Sequence, residues 1–213
     1  LASGGYEVAN SCRFNDGDGA YMHKTPGSTG NQQKYTLSCW LKRSLISSEQ
    51  KIFSAQYSNL TRYAHIGFNN EPGTDHDKLL IFSGHYSTSA TSQAMHIKSV
   101  MKFMDTNAWY NIVVAVDTTQ ATDTNRIKVY VNGTLIELDV TELPEADSIH
   151  FFNVDTTAMH VGDIDTGSYF DGYMAEFVWI DGTQYAASDF GEFDSDSPTI
   201  WKPKDVSGLT FGT

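Results

Sequence analysis

Residues 109–137 read WYNIVVAVDTTQATDTNRIKVYVNGTLIE, and this stretch specifies an antiparallel β-hairpin. The pair Asn132-Gly133 lies between two runs of alternating apolar residues, and Asn-Gly is preferred in two-residue type I′ turns, where both positions need a positive φ. Counting outward from this turn places Val129 opposite Ile136. The face that they share is apolar or threonine throughout, as a core-facing surface must be.

The same count predicts pairs of opposite charge on the other face of the hairpin. Past Ile136 the count gives one further apolar pair, Ile127 with Leu138. It also gives two pairs of opposite charge, Lys128 with Glu137 and Arg126 with Asp139. Each charge pair would favour this register by roughly 0.2–1 kcal/mol. In the first strand, apolar residues occupy both faces, Val114 on one and Val113 on the other, which predicts a central strand that is covered on both sides.

The rest of the chain predicts an all-β protein. About a dozen short β-branched and aromatic runs are separated by clusters of Gly, Asn, Asp, Ser and Thr, and no long 3.6-residue apolar period occurs. Two packed antiparallel sheets would bury this apolar surface better than one flat sheet. We expect a single domain over residues 1–213, with residues 186–213 as a C-terminal tail that packs on it through Trp201.

Charge and hydropathy exclude several classes of partner. The 14 basic and 26 acidic residues give a formal net charge of -12, which repels nucleic-acid phosphates and anionic membrane surfaces. No run of 18 or more apolar residues occurs, so we expect no membrane insertion, and no signal peptide is visible at the start. Cys12 and Cys39 lie in strand-like runs and are predicted to be buried free thiols.

Five segments follow one another in an order that is typical of a known family. They are SCRFNDGDGAYM (11–22), YTLSCWLKRS (35–44), KIFSAQ (51–56), WYNIVVAVD…RIKVYVNGTLI (109–136) and MHVGDIDTGSYFDGYMAEFVWIDG (159–182). Together they resemble the laminin-G-like jelly-roll branch of the concanavalin A-like lectin/glucanase superfamily. The combination of RFNDGDGAYM (13–22), YFDGYMAEFVWIDGTQYAASDFGEF (169–193) and WKP (201–203) is similar to modules in tail and appendage proteins of marine bacteriophages. The resemblance implies a two-sheet antiparallel jelly-roll sandwich at a virion surface or outside cells.

The closing strand departs from the branch at one position. Many relatives read Gly-x-Ile-Asp-Glu, whereas Gly172-Tyr-Met-Ala175-Glu176 has Ala where the Asp falls. A role carried by that Asp is therefore not transferred, and Glu176 points to the opposite face unless a β-bulge intervenes. The same strand is predicted to present one apolar face, formed by Tyr173, Ala175, Phe177 and Trp179.

Two acidic clusters predict a calcium site, because Ca²⁺ takes hard oxygen ligands that converge from loops. The predicted ligands lie in the first turn and around the turn before the closing strand: Asp16, Asp18, Asp163, Asp165 and Asp171. The first cluster is not an EF-hand, because the twelfth position counted from Asp16 is Gly27 rather than Glu. The alternative is that these aspartates form Asx turns, which they favour for backbone reasons.

The loop-rich region 56–96 predicts a carbohydrate site. Sugar recognition needs aromatic faces for C–H stacking and polar side chains for hydroxyl groups. The predicted contacts are aromatic, amide and basic residues of this region: Tyr57, Asn59, Arg62, Tyr63, His65, His85 and Tyr86. His160 is interpreted as an ordinary strand histidine, because no second histidine lies at ligand spacing from it in the sequence.

The sequence shows no catalytic grouping. Glu192, Asp194 and Asp196 have the alternate spacing of glycoside hydrolase carboxylates, but they lie in a turn-rich acidic loop. No nucleophile elbow, zinc-protease helix or phosphate-binding loop occurs. We therefore predict that the protein is not an enzyme.

These observations give one functional hypothesis with three alternatives. The hypothesis is a non-catalytic adhesion or carbohydrate-binding module of a phage or viral surface appendage. Its partner is a host-surface glycan or a neighbouring virion protein, with Ca²⁺ as an accompanying ion and homo-oligomerisation as a further expectation. The alternatives are a purely structural module of a fibre or virion decoration, a polysaccharide hydrolase, and a eukaryotic-type adhesion module that is glycosylated at Asn59.

Overall fold

Short strands form nearly all of the regular structure. The computed structural model describes residues 6–57, 62–71, 73, 75–85, 93–165 and 167–212. The strands are β1 Cys12–Phe14, β2 Met22–Lys24, β3 Lys34–Arg43, β4 Gln50–Gln56, β5 Arg62–Phe68, β6 Lys78–His85, β7 Gln93–Lys102, β8 Tyr110–Asp117, β9 Ile127–Val131, β10 Thr134–Leu135, β11 Leu138–Glu142, β12 Met159–Val161, β13 Gly172–Asp181, β14 Gly191–Phe193 and β15 Trp201–Pro203. Single 3₁₀ turns lie at Asp16–Asp18, Asp123–Asn125 and Ala187–Asp189. No helix in the described ranges is long and apolar enough to cross a bilayer.

The strands form two large sheets that pack face to face. One sheet has six strands in the order β1-β13-β3-β8-β9-β10, and the other has seven in the order β11-β7-β6-β5-β4-β12-β2. Neighbouring strands are antiparallel in both sheets. Apolar side chains of both inner faces, such as Leu37, Ile66 and Val114, are fully buried in one core. The predicted two-sheet antiparallel jelly-roll sandwich is confirmed.

Strand β8 is covered on both faces, as the sequence predicts. Val114 packs in the core between the sheets. Val113 packs on the opposite face against Val178 and Phe190. The six-stranded sheet therefore has a second apolar layer on its outer side, and the C-terminal segment provides part of it.

The C-terminal segment continues past this layer as a two-stranded ribbon of β14 and β15. Trp201 holds the ribbon against the six-stranded sheet, because its Nε1 donates a hydrogen bond of 2.9 Å to Oδ1 of Asn111. In place of the predicted acidic loop, Glu192 lies in the ribbon opposite Lys202.

The tip of the central hairpin agrees with the sequence prediction. Asn132 and Gly133 have φ values of 47° and 79°, as a type I′ turn requires. The amide of Ile136 donates to the carbonyl of Val129 over 3.0 Å. The turn and the register next to it were therefore determined by local residues.

The pairs predicted beyond this point are wrong. The carbonyl of Glu137 already accepts the amide of Val100 in the seven-stranded sheet, and β11 begins at Leu138, opposite Ser99. Three predicted pairs are absent from the ladder: Ile127 with Leu138, Lys128 with Glu137, and Arg126 with Asp139. A surface charge pair contributes at most about 1 kcal/mol, which is less than the row of backbone hydrogen bonds that the edge of β7 provides.

A β-bulge in β13 overturns the predicted single apolar face of the closing strand. The register of β13 against β3 shifts around Glu176, whose φ is 47°. Before the bulge Met174 packs in the core and Tyr173 is exposed, whereas after it Phe177 and Trp179 pack against the core. The extra residue shifts the alternation by one position, so the predicted face mixes residues from opposite sides of the sheet.

The two cysteines lie in different environments. Both are free thiols, and Cys39 is fully buried, which raises the pKa of its thiol to about 12. Cys12 is exposed, so the prediction of a buried thiol is wrong there. Strand β1 lies at an edge of the six-stranded sheet, so one flank of the strand has no neighbouring strand among the described residues.

Candidate functional site

A row of cross-strand partners crosses the outer face of the seven-stranded sheet. Its members, in order from one edge to the other, are Glu142, His96, Phe82, His65, Ser54, His160 and His23. Directly paired residues share a face of the sheet. Their neighbours along the strands, such as Ile97, Ile81 and Ile66, pack in the core, so the row faces outward. We call this set the outer row.

Flat rings cover the middle of the outer row. The Tyr63 ring stacks on His65 at 5.6 Å and on Phe82 at 4.8 Å between centroids. His65 and Phe82 stack at 5.5 Å, and His96 meets Phe82 edge-on at 5.8 Å. The fold thus brings the predicted residues Tyr63 and His65 together with Phe82 and His96, which the sequence analysis missed.

His65 is the least satisfied polar group of this patch. Only 5% of the residue is exposed, and within the described part of the chain neither of its ring nitrogens has a hydrogen-bond partner. Burial, followed by the nearby charges of Lys51 and His96, holds the pKa of His65 well below its usual value. The neutral ring therefore carries one donor and one acceptor. Buried polar atoms are nearly always hydrogen-bonded in native proteins, so His65 is an unsatisfied polar group within the ring patch.

The charges beside the ring patch are already paired. Lys98 Nζ lies 2.6 Å from Oε2 of Glu71 and 2.9 Å from Oδ2 of Asp75. Hydrogen bonds from Lys78 and then Lys98 lower the pKa of Asp75 to about 2. Lys51 is paired with Glu49 in the same way. Because each cation has a carboxylate, the surface favours a neutral, polar ligand over an anionic one.

The other predicted sugar contacts do not join the patch. Arg62 lies over Tyr57 at 6.0 Å and over Phe151 at 5.8 Å from the ring centroids. Both aromatic residues belong to the interior packing, so this cluster lies apart from the outer row. Asn59, Tyr86 and the side chain of His85 lie outside the described residues, and their predicted role stays a prediction.

The two predicted acidic clusters meet at one point. The side chains of Asp16 and Asp171 approach each other, and burial followed by this interaction raises the pKa of Asp171. Arg13 Nη2 lies 2.8 Å from Oδ1 of Asp171. The shared contact places one carboxylate from each cluster side by side, with a guanidinium already bound to one of them.

The remaining acidic residues lie elsewhere. Asp18 accepts a hydrogen bond from Nδ2 of Asn15, and Asp165 is exposed in a turn with φ of 42°. Asp163 is fully buried, and its Oδ1 lies 2.8 Å from Nδ1 of His160. In the described part of the chain, no three His, Cys, Asp or Glu side chains form a group that could hold a metal ion. The calcium prediction therefore stays a prediction.

A family model described as the concanavalin A-like lectin/glucanases superfamily, of the laminin G type, matches residues 15–187. The chain belongs to this superfamily. The resemblance that its strand motifs indicate is confirmed, and the match spans the strands that carry the outer row. No curated protein matches the chain.

Solved structures share the superfamily's sandwich at low sequence identity. Domain 4 of AbnA, an extracellular GH43 arabinanase of Geobacillus stearothermophilus solved with arabinotriose, has a TM-score of 0.52 and 16% identity over 76% of this chain and 67% of that one. Domains LG4-5 of the mouse laminin α1 chain give 0.53 and 8%, over 86% and 45%. Tailspike protein 2 of the Escherichia coli O157:H7 bacteriophage CAB120 gives 0.53 and 10%, over 86% and 24%. The chain thus spans less than half of the laminin fragment and about a quarter of the tailspike, and these likenesses establish the fold.

In this chain the closing strand carries Ala175 where many relatives have Asp, and the bulge next to it redirects Glu176. The Glu176 carboxylate accepts a hydrogen bond of 2.7 Å from the hydroxyl of Tyr6. The bulge that the sequence analysis required for Glu176 to change face is therefore present, but this carboxylate is engaged by a tyrosine.

The carboxylates with glycoside hydrolase spacing are also engaged. Glu192 and Asp194 lie 3.5 Å and 3.4 Å from Nζ of one lysine, Lys202. Asp194 accepts the amides of Asp196 and Ser197, and these bonds lower its pKa. A general acid needs a raised pKa, so this arrangement suits a turn better than glycoside hydrolysis.

A cleft of about 610 Å³ opens between the two sheets of the sandwich beside β2. Phe53, Phe177 and Trp179 line it with aromatic rings, and Asn153 and Asp181 add polar groups. Sequence patterns did not predict it, because a cleft between two sheets depends on how the sheets pack. Its volume lies in the range of small-ligand sites, so it is a second surface to be tested alongside the outer row.

Proposed function

We propose that this protein is a non-catalytic carbohydrate-binding module of an extracellular or virion-surface appendage, and that it recognises host-surface glycans on the outer row. The observation that carries the proposal is His65, a buried neutral imidazole with two unpartnered nitrogens inside a patch of flat rings. A sugar offers both things that this patch lacks, hydroxyl groups that donate and accept and a C–H face that packs on rings.

The dimensions of the outer row favour a chain of sugars over a single unit. Its seven residues lie on seven adjacent strands, which at about 4.8 Å per strand gives a length of roughly 29 Å. Rings and histidines recur along it, and the paired charges at its flank add no strong field. An extended neutral glycan that runs across the strands matches this arrangement.

The solved structures of similar fold support the proposal from outside the chain. Domain 4 of the arabinanase was solved with a bound arabinose oligomer, and the tailspike belongs to a phage. By analogy with the tailspike, we place the present protein at a virion surface, where it would act in adhesion. Its lack of catalysis is supported by the engaged state of Glu192 and Asp194.

A glycan array tests the proposal, and a single substitution in the ring patch locates the site. For the best array ligand, we expect Tyr63→Leu to weaken binding at least tenfold, because it removes the ring that stacks on both His65 and Phe82. Tyr173→Leu is the matched control, since Tyr173 is an exposed tyrosine on the other sheet. Affinities are measured by calorimetry at millimolar calcium, with and without chelator.

Three outcomes would contradict the proposal in different ways. Blank arrays would favour the structural module of a fibre or virion decoration, and size-exclusion chromatography with light scattering would then show an oligomer. Binding that survives Tyr63→Leu but is lost in Asp181→Ala would move the site to the cleft beside β2. Release of reducing ends from the bound glycan would replace a binding module with a hydrolase.

We also propose Ca²⁺ as a ligand of the Asp16–Asp171 pair. A divalent cation would remove the repulsion between the two carboxylates, so calcium should raise the melting temperature of chelator-treated protein and release a saturable heat. Asp16→Asn should abolish both effects. Asp165→Asn, in the exposed turn, should leave them unchanged, and the absence of heat and of a thermal shift in the unmodified protein would refute the site.

A further inference from the structure

Two histidines that are far apart in the sequence face each other at one end of the outer row. His160 of β12 is the direct cross-strand partner of His23 of β2, and the two imidazole centroids lie 5.5 Å apart. The Tyr21 ring packs against both, at 5.7 Å from His23 and 5.6 Å from His160. His23 is exposed, and 17% of the His160 side chain is exposed, so solvent reaches this cluster.

A buried carboxylate fixes the His160 ring from behind. Oδ1 of Asp163 lies 2.8 Å from Nδ1 of His160, and the Asp163 side chain is fully buried. The backbone of Asp163 is also held in place, because its carbonyl accepts a hydrogen bond of 2.7 Å from the hydroxyl of Ser54. A carboxylate accepts only, so it places the proton on Nδ1 and leaves the lone pair of His160 on Nε2. Metal-binding histidines are held in this way by a carboxylate on their other nitrogen.

We propose that His23 and His160 together bind one transition-metal ion, with Zn²⁺ as the reference ion and water at the remaining positions. Neutral imidazole suits Zn²⁺, Ni²⁺ and Cu²⁺ but not Ca²⁺ or Mg²⁺. The exposed His23 ring can rotate about its side-chain bonds to bring a nitrogen within about 2.1 Å of an ion held by His160. Asp163 acts on the metal through His160, and Tyr21 shields one side of the pair.

The site shares one end of the outer row with the proposed glycan-binding surface, but the evidence for it and the zinc test do not rest on glycan binding. It uses the far end of the outer row, across Ser54 from His65, and none of the rings that surround His65. It is also distinct from the proposed calcium site, because its donors are nitrogens. Spacing along the chain gives His160 no histidine partner, whereas the pairing of β2 with β12 supplies one.

Calorimetry of the full chain with ZnCl₂ and NiCl₂, after chelator treatment, tests the proposal directly. We expect one ion per chain, with His23→Ala and His160→Ala each weakening binding at least tenfold. Asp163→Asn should weaken it about 10–100-fold while His23 and His160 remain in place. CaCl₂ should neither bind at this pair nor displace Zn²⁺.

His76→Ala is the matched control. His76 also lies beside a buried carboxylate, with Nδ1 3.0 Å from Oδ2 of Asp77, but its Nε2 lies 3.2 Å from Nζ of Lys102 and is not available to an ion. Its replacement should leave zinc affinity unchanged. No saturable heat, or unchanged zinc affinity in His23→Ala, overturns the proposal.

A spectroscopic measurement on the unsubstituted protein makes the test independent of any effect on folding. With one equivalent of Cu²⁺, the electron paramagnetic resonance spectrum should show hyperfine coupling to two imidazole nitrogens. The coupling should fall to one nitrogen in His23→Ala. A spectrum with only oxygen ligands, or one that is the same with and without His23, would overturn the assignment.

Discussion

Replacing Arg43 with methionine is expected to lower the free energy of unfolding by about 3–5 kcal/mol, the cost of breaking a buried ion pair from one side. Nη1 of Arg43 lies 2.9 Å from Oδ1 of Asp77, and both side chains are fully buried. Arg43 also donates to the carbonyl of Phe103 over 2.7 Å and lies 4.0 Å from the centroid of the Phe68 ring. The substitution therefore leaves the buried carboxylate of Asp77 without its guanidinium partner.

Urea denaturation at neutral pH measures this loss, and Arg13→Met controls for the ion pair itself. Arg13 pairs with Asp171 at 2.8 Å, but 39% of its side chain is exposed, so we expect a loss of at most about 1 kcal/mol. The double variant Arg43→Met/Asp77→Asn should recover much of the Arg43 loss, because the buried charge is gone. Equal losses for Arg43→Met and Arg13→Met would show that burial does not amplify this pair.

The same pair predicts how stability changes in acid. Burial alone would raise the pKa of Asp77, but hydrogen bonds from His76, Ser47 and Arg43 outweigh it and lower the pKa below the usual value. The unfolded chain therefore takes up this proton first as the pH falls. The contribution of Asp77 to the free energy of unfolding is fully present above its unfolded pKa near 4. It is lost as the pH falls through the lower pKa of the folded state. Asp77→Asn should remove this component from the stability profile.

The sequence allowed the fold to be predicted where local residues determine it. The Asn132-Gly133 turn and the doubly covered strand around Val114 are consequences of turn chemistry and alternation, which act over a few residues. After Ile136 the chain crosses to the seven-stranded sheet, where β11 pairs with β7. This crossing was not predicted, because it depends on the edge that β7 provides. The β13 bulge was missed as well, since one extra residue at Glu176 leaves no clear signature in composition.

The candidate site was predictable only in part. His65 lies between two apolar residues in a strand, and that alternation indicates that it faces away from the core. Phe82 lies in the run LLIF, where continuous hydrophobicity hides which side chains point outward. The pairing of His160 with His23 could not be predicted at all, because cross-strand proximity follows from the topology of the whole seven-stranded sheet.

The second large effect is expected at the turn that determines the hairpin. Gly133→Ala should destabilise the protein by about 3 kcal/mol, from two separable causes. Gly133 has φ of 79°, and a Cβ there would lie 2.5 Å from the Trp201 ring. The left-handed backbone costs a non-glycine residue roughly 1–2 kcal/mol, and the remainder comes from displacing the ring.

Gly182→Ala separates these causes. Gly182 has nearly the same φ, 82°, but no atom lies within 4 Å of the position that its Cβ would occupy. This variant should therefore show the backbone cost alone, and the difference between the two variants in urea denaturation measures the Trp201 contact. Displacement of the Trp201 ring in Gly133→Ala should already break its hydrogen bond to Asn111. Trp201→Phe in the Gly133→Ala background should therefore lower the free energy of unfolding little further. Equal costs for Gly133→Ala and Gly182→Ala would mean that Trp201 moves without penalty, and the ribbon would then not be held on the sheet by this ring.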